Sequence, residues 1–290
     1  MKDYITNLNE QFGTEFMGML FFAQAIIKGF VWGGGASGWA GTGINFLFRE
    51  MNVPADRSQV LKAVAMTPWS LKSLMGFSSD LFPIYGLHKA PLMLIATILA
   101  GVGYVFLGFF GVNLGENIIT FFLFLIILQA AMCDLLTEAK YAEKLKSNPD
   151  HGPALMSFVW GGIFVAQLCS YLSVGAVLGI STYSLYIFCL PLALTIIYPL
   201  MKNWLGEEIP AHPPCCGVAE EKLKKESKLF SLSILMGGIS ITLALLGMFD
   251  ENPTVRMVLP IFIVIAAITG NTRHTHTCIS TYFTCTQILH

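Results

Sequence analysis

The sequence predicts an all-α, polytopic membrane protein, on three observations. Of its 290 residues 54% are hydrophobic and only 12% charged, about half the charge of an ordinary soluble domain, and the mean hydropathy is +0.65. Apolar runs long enough to cross a bilayer recur along the chain. Inside the first of them, Phe16–Trp39, one lysine, Lys28, stands near the middle. At about 1.5 Å per helical residue such a run covers a hydrocarbon core of about 30 Å. An ammonium near its midplane costs at least about 3 kcal/mol. A charge is kept at that depth where it faces a watery cavity or a counter-charge, so the chain reads as one with a polar pathway, for which an anion is a natural guest.

Eight segments meet the length criterion: 16–39, 58–79, 91–111, 117–138, 154–179, 182–202, 229–249 and 255–270. Residues 1–10 are polar and lack the layout of a cleaved signal peptide, so the first span serves as its own insertion signal. With the N-terminus placed in the cytoplasm, the inner connectors hold Lys2, Lys89, Lys140, Lys144, Lys146, Lys202, Lys222, Lys224, Lys225 and Lys228, and the outer ones Arg49, Arg57 and Arg256. Ten against three favours that orientation. The net charge of −1 comes with no basic stripe, and nucleic acid is not an expected partner.

The connectors divide the chain. Residues 1–202 make an N-terminal bundle of six helices. The longest connector, 203–228, carries Pro210, Pro213 and Pro214 and a charged run from Glu220 to Lys228, and reads as a cytoplasmic linker. Residues 229–270 begin a second bundle with two helices. Residues 271–290 break the pattern, with Thr, His and Cys dominating, and read as an aberrant tail from a truncated or out-of-frame end. His274, His276 and His290 with the nearby cysteines raise a metal site, but no pair has zinc spacing, and none is expected. Cys133, Cys169 and Cys189 fall in apolar runs and read as buried thiols; Cys215 and Cys216 read as free thiols or a lipidation site.

Three constellations can carry chemistry. In the second segment Lys62, Trp69, Lys72, Gly76 and Asp80 share a helical face. Such a stripe belongs to a pathway or a helix interface, although Lys62 and Lys72 could also reach towards opposite surfaces. Thr67-Pro68 should weaken the helix there. Next, Gly76, Asp80, Gly86 and Lys89 follow in the connector to the third span. Gly76 suits close helix packing, and Asp80 with Lys89 suits a charge latch at the inner face that holds one state closed and breaks in the other. In the fourth segment Asp134 and Glu138 are four residues apart and share a face, with Asp134 about a turn inside the inner boundary. Carboxylates inside membrane helices serve proton relays, so Asp134 suits proton coupling. The structural alternative pairs it with Lys89 or a neighbouring helix, and for Glu138 the structural role is the stronger reading. Trp32-Gly33-Gly34-Gly35 and Trp160-Gly161-Gly162 place tryptophan beside small residues that let helices approach. Trp69 and Trp160 are the candidates for stacking on a flat ligand ring.

These residues carry a resemblance. Six spans, a charged inner loop and then more spans, with the Gly76–Lys89 connector after the second span, resemble the plan of the major facilitator transporters. The run Thr67-Pro-Trp-Ser-Leu-Lys72-Ser-Leu-Met-Gly76-Phe-Ser-Ser-Asp80 resembles a signature region of the folate–biopterin transporters. Cys133-Asp-Leu-Leu-Thr-Glu138 and Ser157-Phe-Val-Trp-Gly161 are similar to the fourth and fifth spans of protozoan pteridine and folate carriers. Ser73 stands where that family usually has proline. The resemblance implies a major facilitator fold of twelve helices, of which about eight are here. It implies a secondary transporter in the plasma membrane that imports folate, biopterin or related pteridines by alternating access, driven by protons, with no cofactor. Lys28, Trp69, Lys72 and Trp160 would bind solute, and Asp80, Lys89, Asp134 and Glu138 would couple protons or gate. Lysines deep in the bilayer suit folate carboxylates and tryptophans suit its flat ring; biopterin has no carboxylate. A second reading is a truncated remnant that does not transport and acts at most as an interaction protein that pairs with an intact relative; an oligomer is the further partner to expect. An enzyme is not expected, since no His/Asp/Ser grouping gathers near one face.

Overall fold

A computed structural model describes residues 2–33, 37–207 and 227–249. The described chain is all α: it is 85% helical and has no strands, only an isolated bridge between Ile84 and Leu87. The eighth apolar segment, the middle of the linker with Cys215 and Cys216, and the tail lie outside the described residues.

A short helix α1 (Lys2–Phe12) leads into α2 (Thr14–Trp32). The last twelve residues of α2, Phe21–Trp32, are wound as a π helix, a form that tends to mark functional sites. The first expected span does not run on to residue 39. Gly33 has φ of +75°, a conformation open to glycine at no steric cost, and a Cβ there would lie 2.0 Å from the Gly38 nitrogen. The Gly38 N–H returns to the Trp32 carbonyl at 2.7 Å, and a separate helix α3 (Trp39–Glu50) starts beyond the turn.

The second expected span is broken into α4 (Ala55–Ala65), α5 (Thr67–Ser70) and α6 (Lys72–Leu81). Pro68 has no N–H to give to the Val64 carbonyl. The Thr67 hydroxyl takes its place, donating to that carbonyl at 2.7 Å. The stripe expected from Lys62 to Asp80 is interrupted accordingly. Then follow α7 (Ala90–Asn113), α8 (Glu116–Ser147), α9 (Gly152–Leu178), α10 (Thr182–Leu194), α11 (Ile197–Met201) and α12 (Ser227–Phe249). Six helices among the described residues are long and apolar enough to cross a membrane: α2, α7, α8, the α9 region, α10 with α11, and α12. They make the chain an integral, multi-pass membrane protein.

Helix α8 is the central post. It packs on α7, on the π-wound part of α2, and on α4, α5 and α6. Its helix continues to Ser147 rather than ending near residue 138. Asp134 therefore lies about 27 Å from one end of α8 and about 20 Å from the other. Helix α12 runs antiparallel along the broken segment. Phe230 meets Phe77 edge-on at 6.1 Å, and Gly237 and Gly247 lie against Leu74 and Val60.

The tightest crossing joins α2 to α9. A Cβ on Gly29 would stand 2.8 Å from the Ile163 carbonyl oxygen, a backbone atom that cannot step aside, and one on Gly162 would meet the Ala25 Cβ at 3.5 Å. Small residues at such crossings replace the hydrophobic drive that lipid does not supply. Gly76, expected to pack closely, makes only an ordinary contact: a Cβ there would be 3.7 Å from the end of Leu135. Gly29→Val should cost about 1–3 kcal/mol through overpacking and lower the thermal midpoint of the purified protein in detergent. Gly161→Ala, with no atom within 4 Å of its added Cβ, should leave that midpoint unchanged.

Candidate solute-binding site

Asp134, 2% exposed, receives two lysines. Lys28 from α2 reaches Oδ1 at 2.6 Å, and Lys72 from α6 reaches Oδ2 at 2.5 Å. Glu138, one turn on along α8, lies 3.6 Å from Lys28 and 3.9 Å from Lys72, and its side chain is 37% exposed. Formal charge closes at zero over the four groups, but unevenly: the buried carboxylate holds both ammoniums and the exposed one stands back.

Local structure sets each cation in place. Lys72 is the first residue of α6. A cation at a helix N-terminus opposes the helix dipole, so Asp134 offsets a cost that the break before α6 creates. Lys28 lies one turn before the end of α2. Each ammonium also rests on an indole face: Lys72 is 4.6 Å from the Trp69 ring centre, and Lys28 is 5.3 Å from that of Trp160. These are cation–π distances. Trp32 extends the aromatic wall, 6.4 Å from Trp69. The result is two cations with two flat indole surfaces around one carboxylate, a setting that suits an anion with an aromatic ring.

Six of the eight residues singled out in the sequence therefore meet in one place: Lys28, Trp69, Lys72, Asp134, Glu138 and Trp160. The other two do not. Lys89 does not reach Asp134; its ammonium meets Glu143 at 2.9 Å, and Lys140 meets the other oxygen of Glu143 at 3.1 Å. Glu207 clasps the same corner, accepting from the Lys89 and Ala90 backbone N–H groups at 2.9 and 3.0 Å, so it caps the start of α7. The contact found at the expected latch is thus Lys89 with Glu143. Asp80 sits in the last turn of α6, beside the tight turn in which Tyr85 and Gly86 both have positive φ.

Two features went unseen in the sequence. Gln24, 1% exposed, donates from Nε2 to Asp134 Oδ1 at 3.2 Å and to Thr137 Oγ1 at 2.7 Å. Its place one turn before Lys28 was the available signal. At the opposite end from Lys89, Arg57 pairs with Glu116 at 2.9 Å and donates to Asn117 at 2.9 Å. It also donates to the Gly247 and Met248 carbonyls at 2.9 and 2.8 Å, joining α4 to the far end of α12. Among the described residues no group of three His, Cys, Asp or Glu side chains could hold a metal ion.

Comparison with known proteins identifies the setting. The model of the BT1 family matches residues 34–246, which include Lys72, Asp134, Glu138 and both indoles under the lysines. The chain belongs to the BT1 family. Among curated proteins, the probable folate-biopterin transporter 4 of Arabidopsis thaliana is 28% identical over 221 residues, 73% of this chain and 42% of that protein. The probable folate-biopterin transporter 2 of the same plant is 29% identical over 44% of this chain and 23% of its own length. The probable folate-biopterin transporter 7 is 27% identical over 50% and 31%. The chain spans less than half the length of these relatives. No solved structure is significantly similar to it.

In this BT1-family chain the two carboxylates should differ sharply in weight. Asp134→Asn leaves two ammoniums facing one exposed carboxylate. Breaking a buried pair costs about 3–5 kcal/mol; the 14% and 25% exposure of the two lysines lowers the expected loss to about 2–3 kcal/mol. Glu138→Gln should cost under about 1 kcal/mol, as for exposed pairs. Thermal unfolding of both variants in one detergent checks the contrast.

Proposed function

We propose that this chain is part of a secondary transporter that carries folate, biopterin or related pteridines across a membrane. The single observation that carries the reading is the pair of lysines held by one buried carboxylate and flanked by two indoles. Membership of the BT1 family and the names of its relatives support it. Folate brings carboxylates and a flat heteroaromatic ring. Its carboxylate can take the place of Glu138 at Lys28 and Lys72 with little loss, since Glu138 is exposed and stands back. Its ring can lie on Trp69 or Trp160.

The proposed cycle is alternating access in a major facilitator fold, with residues 1–202 as one half, 203–228 as the linker and 229–270 as the start of the other. Contacts at both ends of the bundle support such a cycle. Lys89 with Glu143 closes the end placed in the cytoplasm by the distribution of lysines, and Arg57 ties α4 to α12 at the other. Asp134, between the two lysines, is the proposed proton-coupling carboxylate; a plasma-membrane location with a cytoplasmic N-terminus completes the reading. The chain needs no cofactor for this work.

The test is uptake of radiolabelled folate and biopterin by cells lacking their own carrier, with tryptophan fluorescence of the purified protein reporting binding. Lys72→Met, at a membrane level matched to the parent, should reduce folate uptake and binding at least tenfold. Unchanged folate binding in that variant would sink the assignment.

A further inference from the structure

The buried carboxylate poses a problem for any solute that uses the lysines. When an anion draws Lys28 and Lys72 towards itself, Asp134 loses its counter-ions while remaining 2% exposed, and an uncompensated buried charge is costly. Something on the protein has to hold it. The uncharged donor that the structure places on Asp134 is Gln24, from α2.

Gln24 is built for more than one arrangement. Its Nε2 reaches both Asp134 Oδ1 and Thr137 Oγ1, and this fixes which way the amide faces: turned over, its oxygen would point at a carboxylate oxygen. Its Oε1 is buried and has no hydrogen-bond partner among the described residues. A buried amide oxygen left without a partner is uncommon in native structures and calls for a reason. The Thr137 hydroxyl, which accepts from Gln24, donates to its own helix at the Cys133 carbonyl, 2.6 Å away. The side chain therefore carries a spare acceptor next to a carboxylate. If Asp134 takes a proton, the amide can turn and present Oε1 to the new O–H, so Gln24 serves either form.

We propose that Gln24 is the positioning residue that retains Asp134 when an anionic solute takes Lys28 and Lys72, and so sets affinity for anionic over neutral pteridines. This rests on the solute-binding reading given above. The charged and titratable groups that face Asp134 are Lys28 from α2, Lys72 from α6, and Glu138, Cys133 and Tyr141 from α8 itself, Tyr141 standing two turns on and acting without a hydrogen bond to the carboxylate. None of these replaces the amide, since the two lysines are the groups that leave, the second carboxylate repels, and the thiol is a weak donor.

The experiment measures binding of folate and of biopterin to the purified full chain by tryptophan fluorescence, as a function of pH, for the parent, Gln24→Leu and Gln24→Met. Folate affinity should fall at least tenfold in both variants and its pH profile should change, while biopterin, which has no carboxylate to draw the lysines away, should keep its affinity within about twofold; such factors correspond to the net worth of one hydrogen bond to a charged group. Gln24→Asn, which keeps the amide on a shorter stem, should recover part of the folate affinity. Equal losses for both solutes would overturn the proposal and make Gln24 a packing residue. So would variants that no longer unfold cooperatively in detergent. A parent protein that binds neither solute would overturn the solute-binding reading itself and this proposal with it, whereas binding by the parent with parallel losses in the variants removes this proposal alone.

Discussion

Two ammoniums on one buried carboxylate are the constraint around which this bundle is arranged. A charge inside a membrane protein is tolerated where it is paired or faces water, and neither lysine could be held without Asp134. The three groups come from α2, α6 and α8, so the pairing fixes three helices against one another at mid-bundle. It also makes demands elsewhere. Lys28 can reach α8 only if α2 lies close, and α2 is pinned against α9 at the neighbouring Gly29, where no side chain fits. Glycine at that crossing and aspartate on α8 thus act on the same turn of one helix from adjoining faces.

The site is stable without being closed. Asp134 and Gln24 are buried, but Lys28, Lys72 and Glu138 keep part of their surface. For the proposed function the cations must be held and yet be available. A lone buried pair meets the first need and fails the second, because each ion is bound to its one partner. Sharing meets both: each ammonium lies between Asp134 and Glu138, so it can turn from one anion to another, while the Gln24 amide stays on Asp134.

Charge was the legible part of the sequence. Lys28 and Asp134 stand out because an ion in an apolar run must have a reason, and Trp69 and Lys72 because they share the helical face of Lys62, Gly76 and Asp80. What the sequence could not reveal was which ions meet. Asp134 lies 106 residues from Lys28 and 62 from Lys72, separations that no periodicity reports, and the nearer guess of Lys89 failed because Asp134 sits mid-helix rather than near an end. The apolar run stops at Glu138, whereas the helix continues to Ser147, so hydropathy marks the end of the run and not the end of the helix. Gln24 escaped notice because a neutral amide in an apolar helix is far cheaper than a charge and raises no alarm. The break in the second span was half visible: Pro68 announced a weakness, but its depth, with separate short helices on either side, depends on how the Thr67 hydroxyl and the packing of α12 settle the freed carbonyl. The turn at Gly33 was disguised by the same glycines that were read as a packing surface.

That break links the site to the ends of the bundle. Arg57 and Lys72 belong to one stretch of chain, on opposite sides of the interruption at Met66–Leu71. Arg57 is tied to the terminal carbonyls of α12 and to Glu116; Lys72 is tied to Asp134. Were the stretch a continuous helix, a shift of α12 at one end would be passed rigidly to the lysine. With the backbone ladder interrupted by Pro68, the half that follows α12 and the half that holds the carboxylate can move by different amounts. The two ends also differ in strength. Lys89 is buried but its partner Glu143 is 51% exposed, so that pair is only half withdrawn from water. Arg57 is 18% exposed and makes four hydrogen bonds, and bonds to a charged group contribute about 1.5–3 kcal/mol each before desolvation. Arg57 thus ties α12 to α4 and α8 at one end, and at the other a half-exposed ion pair is joined by Glu207 on the backbone that starts α7.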